Sequence, residues 1–191
     1  MRTHVVVLLS GSGTLCQALL DAIDAGEVDA RVVAVVSDQA DAQGLDRARA
    51  HGIPAVAHPF TRGGNRAAWD AELAEIVARF EPDLVASAGF MKLLGPAFLD
   101  RFGGRTINTH PALLPSFPGM HGPRDALRAG VKVSGATVFV VDAGIDTGRI
   151  LLQGAVDVLP DDDVDALHER IKVVERRLLI QAVSEWKKET Q

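Results

Sequence analysis

The 191-residue chain is 47% hydrophobic and 24% charged and carries a formal net charge of -5, values that suit one packed domain and exclude a disordered chain. The acidic balance leaves none of the basic footprint of a nucleic-acid binder, although a loop and a few basic residues can still build a local anion site. The single cysteine, Cys16, rules out an intramolecular disulfide and fits a cytoplasmic protein, and the N-terminal apolar run VVVLL is too short for a membrane span or a signal-peptide core.

In chain order, HVVVLLS reads as a buried strand, SGSGT as a glycine-rich turn and LCQALLDAIDAG as a helix. RVVAVVSD is the next strand, DAQGLDRARAHG a helix closed by Gly52, and IPAVAH a short strand. NRAAWDAELAEIVARF predicts a long helix with Trp69, Leu73, Ile76, Val77 and Phe80 on one side, and PDLVASAGF a fourth strand. Apolar strands alternating with helices predict parallel strands buried on both faces, a doubly wound α/β sheet whose ligands lie beyond the strands' carboxyl ends. RTINTH is a fifth strand, followed by a proline-rich loop and a short helix around PRDALRAG. VSGATVFVVDAG and GRILLQGAVDVLP predict two antiparallel strands. A long last helix follows, with acids at its start and lysines at its end, as the helix dipole favours. No repeat or linker divides the chain, which reads as one domain.

Three stretches could carry chemistry. In SGSGT, Gly11 and Gly13 allow close backbone approach to a phosphate at a helix start; the turn lacks the third glycine of a dinucleotide fingerprint and the lysine of a P-loop, so it also reads as a plain tight turn. In INTHPALLPSFPGMHG, strand alternation projects Asn108 and His110 to one face, Pro111 stops the strand, and the prolines stiffen the loop behind it. An amide donor beside an imidazole suits oxyanion stabilisation and proton transfer, although an isolated N-x-H pair is also ordinary strand-end polarity. In VVDAGIDTGRIL, Asp142 or Asp146 could orient His110 and favour its imidazolium, or both could simply be turn residues. GFMKLLGP could line the same crevice or be only a turn into a helix. Cys16 reads as a small core residue, and Lys172 and Glu175 as a solvated helix face unless that helix borders the pocket. No HExxH, CxxC or carboxylate cluster suggests a metal.

Taken together, the order and spacing of VVVLLSGSGT, GFMKLLGP, INTHPALLPSFPGMHG, GATVFVVDAGIDTGRIL and RIKVVERRLL resemble the phosphoribosylglycinamide formyltransferases of purine synthesis over nearly the whole chain. The resemblance implies a single domain of Rossmann-like formyltransferase fold, with a nucleotide-binding half (1–105) and a catalytic and folate-binding half (106–191), and formyl transfer from 10-formyltetrahydrofolate to glycinamide ribonucleotide, with no metal. It puts the catalytic trio on Asn108, His110 and Asp146. It puts the ribonucleotide on Gly11, Ser12, Gly13, Thr14, Leu15, Arg66, Pro111 and Glu175. The folate falls on Arg66, Met91, Lys92, Leu93, Leu94, Asn108, Val141, Ala143, Gly144, Ile145 and Asp146. Small-molecule substrates are the only partners implied, with no nucleic acid and no membrane; a homodimer stays open, with no interface legible in the sequence.

Three departures stand out. Leu15 replaces the family's usual asparagine, so backbone amides must do more at the turn. Lys92 replaces a frequent arginine, and Gly122 and Pro123 stand where some relatives carry a second histidine. Two related activities are weighed against the chain: the methionyl-tRNA formyltransferases carry a further C-terminal RNA domain, and the formyltetrahydrofolate hydrolases a further N-terminal regulatory domain. The expected length, charge and near-immediate first strand favour the ribonucleotide enzyme. A non-catalytic anion sensor on the same scaffold would have no need of the whole trio.

Overall fold

The structure, a computed structural model, describes residues 2–186. Seven strands are β1 (Thr3–Leu9), β2 (Ala30–Ser37), β3 (Ala55–Ala57), β4 (Leu84–Ser87), β5 (Thr106–His110), β6 (Val133–Val140) and β7 (Ile150–Asp157). Six helices are α1 (Thr14–Asp24), α2 (Gln43–Ala50), α3 (Arg66–Ala78), α4 (Pro96–Phe102), α5 (Gly122–Ala129) and α6 (Val164–Glu185). They build one sheet in the order β3-β2-β1-β4-β5-β6-β7. The first five strands in that order pair in parallel, and β6 and β7 add antiparallel. This is the doubly wound sheet with an antiparallel C-terminal pair that the pattern predicts.

The run VVVLL explains the two-sided core. Alternation along β1 sends Val5, Val7 and Leu9 into one cluster, with Cys16, Leu19 and Leu20 of α1, Leu45 of α2 and Leu167, Ile171, Leu178 and Leu179 of α6. Val6 and Leu8 enter the other, with Trp69, Leu73 and Val77 of α3 and Phe98 and Phe102 of α4. Burying one such Val or Leu side chain is worth about 1.5–3 kcal/mol, so a one-residue slip that exchanged the two sets would disrupt both cores.

Local signals set the helix limits. The Asn65 side chain accepts from Ala68 N at 3.1 Å and Asp163 from Ala166 N at 2.8 Å, so an Asn and an Asp start the two longest helices. Gly52 and Gly130, with φ of 67° and 69°, follow α2 and α5. The lysines expected at the end of the last helix, Lys187 and Lys188, lie outside the described residues. The sequence implies a helix after GFMKLLGP without bounding it. That helix, α4, starts at Pro96 and has no side-chain cap of its own. Asp70, buried in α3, replaces the cap and accepts from Gly95 N at 2.6 Å and Phe98 N at 3.0 Å. Among the described residues, no helix is long and apolar enough to cross a membrane.

Candidate active site

The strand order reverses direction at β1, whose neighbours are β2 and β4. An open α/β sheet binds ligands at such a switch point, beyond the carboxyl ends of the strands. The turn Ser10–Thr14 leaves β1 there, the segment 88–95 leaves β4, and β5 ends beside them at His110.

Two glycines of the turn have different reasons to be glycine. Gly13 begins α1 at φ 69°, and a Cβ on it would lie 2.5 Å from the Cα of Gly44; its identity is a packing requirement. A Cβ on Gly11 would meet no protein atom within 4 Å, so packing does not demand glycine there. Gly11 and Ser12 are exposed, and no side chain caps α1, so the first amides of the helix face the crevice. Leu15, grouped with these residues by resemblance, is half-buried in the first turn of α1 with its side chain packed against the core, which leaves its backbone for the turn. Sequence reasoning missed two arginines. Arg47 Nε donates to Ser12 O at 2.8 Å, and Arg47 and Arg176 line a cavity of about 240 Å³ with Thr14, Gln17 and Asp21. They place positive charge beside the turn of a chain whose net charge is negative.

His110 closes β5 as Pro111 requires. The ring is 4% exposed. Its Nε2 lies 2.8 Å from Phe117 O in the proline loop, and because a carbonyl can only accept, Nε2 carries a proton. Its Nδ1 faces Asp146 Oδ2 at 3.5 Å. The ring thus has an acceptor at each nitrogen, a carbonyl at Nε2 and a carboxylate at Nδ1. The loop 141–149 therefore divides the two candidate carboxylates. Asp142 Oδ1 accepts from Gly144 N at 3.0 Å and Thr147 Oγ1 at 2.8 Å, bracing the loop from within. Asp146, at φ 55°, reaches His110, and its Oδ2 also accepts from Gly119 N at 2.7 Å. Asn108, two residues before His110 on the same strand face, is half-buried, and its side-chain amide has no partner among the described residues.

The segment Met91–Leu94 lies across the crevice, with Met91 and Leu93 exposed and Leu94 packed into the core. Arg66 donates to Leu93 O and lies over Trp69 and Phe60, 4.2 Å and 5.4 Å from the ring centroids; its Nη1 is buried without a partner among the described residues. Arg66 thus meets the segment after β4, while the turn after β1 has Arg47. Lys92 does not project outward, because its Nζ pairs with Asp38 Oδ2 at 3.0 Å. Val141 is tied to β5 through its N–H on Thr106 O at 2.8 Å, while Ala143, Gly144 and Ile145 are exposed. Pro111 is half-buried at the strand end. Among the described residues, no group of three or more His, Cys, Asp or Glu side chains converges as metal ligands would.

Two side chains behave unlike a surface reading. Cys16 is fully buried, a core residue as expected, and that burial pushes its thiol up to about 12. Glu175 is 5% exposed, so the solvated face expected for it is corrected. It sits under β5 against the Thr109 hydroxyl, on the side of the strand opposite Asn108 and His110, and burial pushes its carboxyl up to about 7 against the pull of Thr109, Lys172 and Arg176. Helical periodicity placed Glu175 on a polar stripe; only the packing of α6 on β5 buries it.

A pH effect follows from this. The unfolded carboxyl ionises first, near 4.5, so the stability of the protonated form is complete below that value and is lost as pH rises through about 7. Glu175→Gln is uncharged throughout and escapes the loss. Its stability relative to wild type should rise by about 2–3 kcal/mol between pH 4.5 and pH 8, or roughly 5–10 °C in relative melting temperature. A melting difference independent of pH would remove the ionisation from the account.

The sequence profile of the formyl transferase family matches residues 3–183. The phosphoribosylglycinamide formyltransferase of Mycobacterium tuberculosis is 55% identical over 181 residues, 95% of this chain and 83% of that protein. The Escherichia coli enzyme of the same name is 39% identical over 175 residues, 92% of this chain and 82% of its own. In three dimensions, glycinamide ribonucleotide transformylase 1 of Symbiobacterium toebii superposes with a TM-score of 0.93 at 45% identity, covering 96% of this chain and 86% of that one.

Proposed function

The chain belongs to the formyl transferase family, and from that membership we infer that it transfers the formyl group of 10-formyltetrahydrofolate to the primary amine of glycinamide ribonucleotide. The products are formylglycinamide ribonucleotide and tetrahydrofolate, and the setting is cytoplasmic purine synthesis. The observation that carries the reading is buried His110, held between Asp146 and Phe117, with the unpartnered amide of Asn108 on the same strand face.

The amine attacks the formyl carbon, and the carbonyl oxygen takes up negative charge. The Asn108 amide donates to that oxygen. The His110 ring, fixed by two acceptors, supplies positive charge that needs no reorganisation during the step. The attacking nitrogen must then lose a proton, and the folate nitrogen must gain one as its bond to the carbon breaks. Asp146 Oδ2 is engaged by Gly119 and His110, while Oδ1 has no partner among the described residues; Oδ1 relays the proton through water. Holding two substrates in contact supplies much of the remaining acceleration.

The ribonucleotide phosphate sits on the amides of Gly11, Ser12, Gly13 and Thr14, with Arg47 and Arg176 as the nearby charge. The folate lies against Met91–Leu94, under Arg66, with its pterin at the Val141–Asp146 loop. Pro111 and Glu175 support the glycinamide side, Glu175 through Thr109.

The test is the absorbance change on mixing protein with both substrates. Turnover that needs both establishes the transferase, folate deformylation without the ribonucleotide would make the protein a hydrolase, and no turnover would leave a binder. Gly11→Ala tests the phosphate placement. The open space around that position predicts a melting temperature within about 2 °C of wild type. The added methyl should raise the KM for the ribonucleotide about tenfold or more, with the folate KM unchanged, since one displaced charged hydrogen bond costs about 1.5–3 kcal/mol. A rise in the folate KM alone would move the phosphate elsewhere.

A further inference from the structure

Asp38, at the end of β2, is a buried carboxylate that the mechanism does not use; it is 2% exposed. Three groups converge on it. The Ser10 hydroxyl donates to Oδ1, Lys92 Nζ lies 3.0 Å from Oδ2, and Gln39 Nε2 donates to Oδ2 at 3.1 Å. Burial pushes the carboxyl up, but the hydrogen bonds from Ser10, Lys92 and Gln39 outweigh it and hold the group below the usual carboxylate range. The Ser10 hydroxyl in turn accepts from Met91 N at 2.7 Å, and Ser10 N donates to Gly89 O at 3.0 Å.

Ser10 opens the turn assigned to the ribonucleotide phosphate, and Met91 and Lys92 open the segment assigned to the folate. One carboxylate therefore holds both. Neither segment can move without breaking a charge-assisted hydrogen bond in a site where water does not readily replace it. We propose that Asp38 is a positioning residue that couples the two substrate subsites, so that binding of the folate orders the phosphate turn, and binding of the ribonucleotide orders the folate segment, through the Asp38–Ser10–Lys92 clamp. This rests on the substrate assignment above. The coupling is reciprocal, because each ligand orders a clamp that the other would otherwise have to order itself.

The experiment is calorimetric. The Kd of glycinamide ribonucleotide is measured with and without saturating tetrahydrofolate, in wild type and in Asp38→Asn. Wild type should bind the ribonucleotide about fivefold or more tighter when tetrahydrofolate is present, and in Asp38→Asn that ratio should fall to about one while each ligand still binds alone. Ser10→Ala removes the same link without touching the carboxylate, so it keeps the test available if Asp38→Asn fails to fold, and it should show the same loss of ratio. A purely structural role for Asp38 would lower the melting temperature and leave the ratio intact. A ratio preserved in the folded variants, or no ratio in wild type, overturns the coupling while leaving the substrate assignment standing. Wild type that binds neither ligand overturns both.

Discussion

His110→Ala is expected to lower kcat by about a thousandfold, the upper end of the range for removing one positioned group that stabilises an oxyanion, which is about 4 kcal/mol of transition-state stabilisation. The ring is buried and both nitrogens are engaged, so the loss removes the fixed charge beside the developing oxyanion and releases Asp146 and the Phe117 carbonyl together. Because the ring is not the main contact of either substrate, both KM values should move by less than about tenfold. Asn108→Ala isolates the second donor. Its side chain has no partner among the described residues to orphan, so folding should be unaffected and kcat should fall by about 10²–10³-fold. The double variant should fall by less than the product of the two losses, since both groups serve one oxyanion. Steady-state kinetics with both substrates varied decide this. Losses confined to KM in either variant would turn the pair into binding residues and remove the oxyanion assignment.

What was legible in the sequence was what local periodicity encodes. Alternation placed Asn108 and His110 on one face, Pro111 marked where their strand ends, and the apolar runs separated buried parallel strands from the antiparallel pair at the end. What was not legible depends on contacts across the sheet. The residues of VVDAGIDTGRIL allow either Asp142 or Asp146 to reach the histidine; only the fold of the loop turns Asp142 inward onto Thr147 and Asp146 toward His110. Glu175 sits in a helix stripe that reads as polar, and its burial needs α6 to cross under Thr109. The resemblance puts Lys92 at the folate without saying whether backbone or side chain serves it; the structure turns its ammonium back onto Asp38, more than fifty residues away in sequence, which leaves the backbone. Asp38 itself gives no signal beyond an acidic residue after an apolar run. Each is a polar side chain whose surroundings are set by packing or by a partner that hydropathy cannot encode.

Asp146→Asn is the sharper test of the mechanism, because the substitution changes charge and almost nothing else. Asp146 lies at φ 55°, a left-handed conformation that asparagine adopts as readily as aspartate. An amide oxygen can still accept from Gly119 N, as Oδ2 does at 2.7 Å, so the loop should keep its path. The negative charge facing His110 Nδ1 at 3.5 Å is lost, and with it the group to which the proposed mechanism gives the proton relay from the attacking amine. In the proposed arrangement the ribonucleotide phosphate binds at the turn after β1 and not on this loop. The expected result is therefore a fall in kcat of about 10²–10⁴-fold with the Kd of the ribonucleotide within about threefold of wild type and a melting temperature within a few degrees, roughly the effect of 1 kcal/mol. Single-turnover kinetics with calorimetric binding separate the two. Equal losses in turnover and in ribonucleotide affinity would mean that Asp146 binds substrate rather than serving His110, and the proton relay through Oδ1 would have to be assigned to another group.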